Sequence, residues 1–235
     1  MRPSLKHTAL RLQSVVRRNS PNSRNRRRLI LKFAEKMGMV YFGRVDQFID
    51  EHRVVRGLTV SSTHKDDSYC VGSYNGYDIS LVDRTDIVVD AKQNSVSHNW
   101  LILEIDLNTS KDVPHFFLQP HSHEEAAYAK LFLAFAKLQP ASLDVFAAQP
   151  PEFSRRYGVF VTPTDALRTE KYLNAIITRK IAAHFWPLAV EVYHNTVYIY
   201  ASNHKHVTMQ LLSTMLENGV WLASALDENA QLIEN

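Results

Sequence analysis

Three histidines crowd one stretch of the chain: His115, His121 and His123, the last followed by Glu124 and Glu125. Imidazole and carboxylate are metal ligands, and on extended backbone His121 and His123 would point the same way, as paired ligands require. A hydrolase or metal-dependent centre near these three histidines is therefore one reading. Against it, the sequence has no HExxH motif and no cysteine pair, so the usual metal spacings are absent. A polar loop entering a helix accounts for the same residues, and no metal is expected. The remaining reactive groups also have plain explanations. Glu104 and Asp106 share one face of a strand pattern, either as a general acid–base pair or as a solvent-facing sheet surface. No GxSxG elbow marks a nucleophile. The single cysteine, Cys70, sits between Tyr69 and Val71, where burial would keep its thiol protonated. Tyr193, Tyr198 and Tyr200 form either an outward patch for a partner or a half-buried layer. His184, beside Phe185 and Trp186, reads as an interior or rim aromatic.

Charge is the stronger signal. Residues 1–28 hold nine basic side chains (Arg2, Lys6, Arg11, Arg17, Arg18, Arg24, Arg26, Arg27 and Arg28) and no acidic one. The other 18 Lys and Arg face 24 Asp and Glu, so residues 29–235 carry about six net negative charges. A basic arm on an acidic body suggests a polyanionic partner. Within the arm, Leu5, Ala9, Leu12 and Val16 fall on one stripe of a possible helix over residues 4–18, with Lys6, Arg11, Arg17 and Arg18 turned away. Asn19 to Ser23 should break it. Four readings stay open: a solvated arm resting on the acidic body, a surface-lying membrane helix, a nucleic-acid contact and an organelle transit peptide. The polyanion-binding candidates are Arg11, Arg17, Arg18, Arg24, Arg26, Arg27 and Arg28. An anionic membrane surface is favoured over nucleic acid, because the arm has an apolar stripe and no aromatic before Phe33 to stack on bases. An acidic protein face is a further possible partner.

The totals exclude several classes. With 235 residues and one cysteine, the chain can bury a core without disulfides, and a reducing compartment is expected. No apolar run approaches the roughly 20 residues of a membrane span, and no secretory signal is expected. The seven glycines are isolated. Neither GxGxxG nor GxxxxGK[ST] occurs, so no nucleotide cofactor is expected.

Around these residues the pattern predicts a short helix over 29–37 ended by Gly38, and a further short helix within 40–52. A strand follows over 54–61. Asn75-Gly76 predicts a hairpin of 68–74 with 77–83, because a two-residue I′ turn needs positive φ at both central positions. Strands are expected at 99–107 and 115–118. Ser122 and Glu125 form a capping box opening a buried helix over 126–138. Pro140 and Pro150-Pro151 bracket a connector. Beyond it come a strand over 157–161 and a helix from Thr162-Pro163 to Phe185. A hairpin from Pro187 turns at His194-Asn195, and a helix over 207–216 ends at Asn218-Gly219. A last helical turn or two follows over 221–226.

Without regular βαβ alternation the expected class is α+β, with antiparallel sheets backed by helices and a basic helical N-terminal arm. The expected organisation is an arm of 1–28, a first half of 29–148 and a second of 152–235, as two subdomains or one body. Gly72-x-Tyr74-x-Gly76-x-x-Ile79-x-Leu81 and Trp100-Leu101-Ile102-Leu103-Glu104-Ile105-Asp106 resemble the core of a bacterial family known only as a domain of unknown function. Phe153-x-x-x-Tyr157-x-Val159-x-Val161-x-Pro163 and Val197-Tyr198-Ile199-Tyr200 resemble its later part. The resemblance covers residues 54–226 and leaves the arm and the His-rich connector unmatched. It implies a bacterial, cytoplasm-facing α+β protein and transfers no activity. The functional expectation is a non-enzymatic cytoplasmic interaction module, held peripherally at a membrane face by its arm.

Overall fold

The computed structural model describes residues 21–45, 65–89, 95–121, 138–141, 149–202 and 206–233. The arm stripe of residues 4–18, the strand at 54–61 and the capping-box helix of 126–137 lie outside them.

Helix α1 (Pro21–Met37) opens the described chain. Ile30, Phe33 and Ala34 are buried, with Leu29 and Met37 packed beside them, which is the i, i+3, i+4, i+7 spacing of one helix face. Burying Ile30 and Phe33 contributes at most about 1.5–3 kcal/mol each. The helix spans the expected arm boundary at residue 28, and Asn22 and Ser23 are helical rather than breakers. Packing of its second half overrides their weak propensity. Gly38 at φ +69 stops it, and Met39 N–H returns to the Ala34 carbonyl at 2.8 Å, a Schellman closure.

The next segment is strand β1 (Val40–Val45), which corrects the start of the short helix expected within 40–52; residues 46–52 lie outside the described residues. The hairpin follows as β2 (Lys65–Tyr74) and β3 (Tyr77–Val89), with Asn75 and Gly76 at φ +51 and +83. Then come β4 (Ser95–Asp106), β5 (Phe116–Pro120), the two-residue β6 (Gln139–Pro140) and helix α2 (Pro151–Arg156). Strand β7 (Tyr157–Val161), helices α3 (Ala166–Tyr172) and α4 (Ala175–His184), strands β8 (Ala189–Tyr193) and β9 (Thr196–Ser202), and helix α5 (Met209–Leu232) complete it.

The nine strands form one antiparallel sheet in the order β1-β2-β3-β4-β9-β8-β5-β7-β6. The α+β class is as expected. The β4–β9 pair, from Trp100↔Ser202 to Asp106↔Thr196, joins strands of both halves. Alternation sets two faces. Leu101, Leu103, Ile105, Val190, Val192, Val197 and Ile199 belong to an aliphatic face, on which α1 and α5 pack. Val82, Trp100, Ile102, Phe117, Ala189, Tyr198 and Tyr200 form a second, aromatic layer. The face carrying Trp100 and Ile102 is therefore not solvent-facing there, and Tyr198 and Tyr200 are buried rather than half-buried. Burial on both faces explains the unbroken apolar run at Trp100–Leu103.

Further helix boundaries differ from expectation: α3 starts at Ala166 after Asp165, not at Thr162-Pro163. The 162–185 helix is split, because the Asn174 side chain accepts from the N–H groups of Ile176 and Ile177 and starts α4 afresh. Gly219 does not end its helix. α5 continues through it, and a Cβ there would lie 2.5 Å from Ile105 Cδ1, so the glycine serves close packing on β4.

Candidate functional site

Helix α1 carries the described part of the basic arm. Arg24, Arg27, Arg28, Lys32 and Lys36 are exposed, and Glu35 is its one carboxylate. Arg24, in the first turn, opposes the macrodipole at a cost of up to about 1 kcal/mol, and Arg28 four residues on repels it. The strands beneath supply the compensation. Arg26 Nη2 lies 2.7 Å from Asp83 Oδ1, with side chains 15% and 17% exposed. Arg27 Nη2 lies 3.9 Å from Asp67 Oδ1, and the Arg27 side chain remains 59% exposed. Asp67 and Asp83 stand directly opposite each other on β2 and β3. Like charges so placed repel. Burial pushes the Asp83 carboxyl up to about 6; Arg26 pulls it down and Asp67 and Asp66 push it further up.

A β-bulge creates this arrangement. Cys70 faces Leu81, but Asp67 faces Asp83, so one extra β2 residue is inserted near Ser68, which stands at φ +57. The shift also sets Asp66 opposite Arg84 on the other face. There Arg84 donates Nε and Nη2 to the two Asp66 oxygens at 2.7 and 2.8 Å, and both side chains are buried. These four residues were missed from the sequence. The paired acids of Asp66-Asp67 and the Asp83-Arg84 step were visible, but the bulge that aligns them was not.

Beyond the rim of α1 lies the edge strand β1. Val40 and Phe42 are 57% and 59% exposed, Phe42 stacks on Tyr69 at 5.8 Å, and Arg44 is exposed beside them. Cationic and apolar side chains thus share this edge of the sheet, the α1 cations over its aliphatic face and Phe42 with Tyr69 on its aromatic face. Of the arm candidates, Arg24, Arg26, Arg27 and Arg28 fall here; Arg11, Arg17 and Arg18 lie outside the described residues.

His115 and His121 are not brought together. His115 precedes β5 and His121 follows it, so six residues of extended chain hold them about 20 Å apart. His123 lies outside the described residues. His115 Nε2 instead lies 2.8 Å from Glu191 Oε1, and Tyr200 donates its hydroxyl to Glu191 Oε2 at 2.5 Å. Glu191 is buried and the His115 ring packs on Tyr193. Glu191 opposes Tyr198 on β9, and Tyr198 opposes Glu104 on β4. Glu104 accepts from Ser80 at 2.8 Å, and Asp106 accepts from Thr196 at 2.8 Å. Each candidate carboxylate thus has its own cross-strand donor. Glu104 is half-buried and Asp106 is exposed, so this end of the β4 face meets solvent, as expected. Burial pushes the Cys70 thiol up to about 12, and it donates to the Ser68 carbonyl. A thiol so held is protonated at neutral pH and a poor nucleophile.

No helix among the described residues is long and apolar enough to cross a membrane. No protein-family model matches the sequence, and no curated protein is similar to it in sequence. Among solved structures, the mycobacterial trehalose monomycolate transport factor A, TtfA, is similar at a TM-score of 0.51 and 10% sequence identity. The match covers 86% of this chain and 93% of that chain, and what it shows in common is the fold.

Proposed function

We propose that the chain is a non-enzymatic interaction module, held at an anionic membrane surface by its basic N-terminal segment. The observation that carries this reading is the cationic exposed side of α1, with Arg24, Arg27, Arg28, Lys32 and Lys36; exposed Phe42 and Val40 lie on the adjoining edge strand, Phe42 against Tyr69 on the sheet face that α1 does not cover. Basic residues near a bilayer contribute about 1 kcal/mol each with anionic lipid, and exposed apolar side chains add burial at the headgroup boundary. The N-terminal half of α1 favours an anion, because its dipole and its arginines act together there. Arg26 does not belong to this surface; it is turned onto Asp83. That TtfA is a trehalose monomycolate transport factor is compatible with the reading and adds no residue to it.

Co-sedimentation with vesicles tests it. Full-length protein should pellet with phosphatidylserine vesicles, not with neutral phosphatidylcholine ones, and should be released by salt as surface charges are screened. Equal pelleting with both vesicle types would remove the proposal. A second reading, single-stranded nucleic acid, is favoured by one observation: Phe42 offers an exposed ring beside Arg44. Tight, salt-dependent oligonucleotide binding that Phe42→Ala weakens, without vesicle binding, would select it.

A further inference from the structure

Two carboxylates face each other beneath α1. Asp67 and Asp83 are direct register partners on β2 and β3, and residues so placed have Cβ atoms about 4.5–5.5 Å apart. The bulge at Ser68 sets them there, while Arg84, next in sequence to Asp83, is held by Asp66 on the other face. Their cations come from α1 instead: Arg26, 2.7 Å from Asp83, and Arg27, 3.9 Å from Asp67 and 59% exposed. The other charged neighbours are Arg44 on β1, beside Val45, the register partner of Asp66, and Lys65 on β2, opposite Thr85. On β4 the residue opposite Asp83 is Leu101, which brings no charge.

This arrangement responds to protons as well as to cations. Burial pushes the Asp83 carboxyl up to about 6; Arg26 lowers it, and the charges of Asp67 and Asp66 raise it. Just above that pH the cluster is poised to take up a proton. A carboxylate beside another binds a proton more tightly when a nearby cation is drawn away. Arg27 is the cation that can be drawn away. Its contact is long and largely wet, so it contributes little and can be traded for a phosphate oxygen. Its departure makes the field at Asp67 and Asp83 more negative, and the potential of an anionic surface acts in the same direction.

We propose that the Asp67–Asp83 pair makes the α1 surface acid-sensing: when Arg27 engages an anionic lipid surface, the pair takes up a proton from solvent, so binding tightens on mild acidification. The inference rests on the proposed membrane reading and adds its regulation. By linkage, a proton taken up on association gives an affinity that rises as pH falls through the titration range and levels off below it.

Co-sedimentation of the full chain with phosphatidylglycerol vesicles, from about pH 8 to about pH 5, is the test, because the phosphodiester of that lipid keeps its charge across this range. Wild type should tighten by about threefold or more beyond any change in Asp83→Asn. Histidines protonate alike in both proteins and cancel in that ratio. Arg27→Gln, whose exposed contact does not put the fold at risk, should bind more weakly and flatten the profile, since the cation whose departure drives proton uptake is gone. Calorimetry in two buffers of different ionisation enthalpy should show proton uptake by wild type, reduced in Asp83→Asn. Vesicle binding with the same pH dependence in wild type and Asp83→Asn would overturn the inference and leave the membrane reading standing. Wild type that fails to pellet at any of these pH values would remove that reading and the inference with it.

Discussion

Strands β2 and β3 carry ion pairs in adjacent register rows, one pair on one face and two on the other, and the two faces behave as different devices. Asp66–Arg84 is closed within the sheet, bidentate and out of water. Asp83–Arg26 and Asp67–Arg27 lie under α1, are partly wet, and take their cations from a helix that also presents arginines outward. The first pair holds the hairpin; the other two fasten the basic helix to it. The difference lies in where the cation comes from. A partner supplied by the opposite strand cannot leave without unfolding, whereas one supplied by a surface helix can be exchanged for another anion.

The comparison can be broken hardest at the closed pair. Arg84→Ala strands a buried carboxylate and should cost about 3–5 kcal/mol in urea unfolding. Replacing both partners, Arg84→Met with Asp66→Leu, should recover much of that loss, since an apolar pair leaves no buried charge. A double variant as unstable as the single one would contradict the buried-pair account.

Under α1, Arg26→Gln should cost roughly 1–2 kcal/mol, because the Asp83 contact is only partly exposed. Asp83→Asn sharpens the contrast through pH. The folded carboxyl titrates near 6, while in the unfolded chain it titrates near about 4. Between those values the folded protein keeps a proton that the unfolded chain has released. The contribution of this group to stability therefore rises as pH falls from about 7 to about 4. Wild type should gain stability relative to Asp83→Asn across that window in urea midpoints, and a constant difference would contradict the raised carboxyl. The smallest effect belongs to Arg27→Gln, whose exposed contact at 3.9 Å should change stability by less than about 0.5 kcal/mol.

What could be read beforehand follows from the same locality. The Asn75-Gly76 turn, the β4 run and the α+β class were legible because turn chemistry and alternation are local signals. The helix start at Pro21 was not, since Asn22 and Ser23 favour turns and only the packing of Ile30, Phe33 and Ala34 on the sheet commits the segment to a helix. Gly219 reads as a stop but is a contact point for Ile105. Charge segregation pointed to the basic segment. It could not separate Arg26 from its neighbours, because that depends on a bulge at Ser68 that no local pattern announces.

The central proposal is that the arginines of α1 divide labour, with Arg26 bound to the sheet, Arg24 and Arg28 available to an anionic surface, and Arg27, only weakly paired with Asp67, able to exchange that partner for it. One vesicle titration of two variants tests it directly. Replacing Arg24, Arg27 and Arg28 by Gln should weaken binding to phosphatidylserine vesicles about a hundredfold, at about 1 kcal/mol per charge, and leave stability within about 1 kcal/mol of wild type. Arg26→Gln should lower stability and leave vesicle affinity unchanged. Equal loss of vesicle binding in both variants, or none in either, would contradict the account.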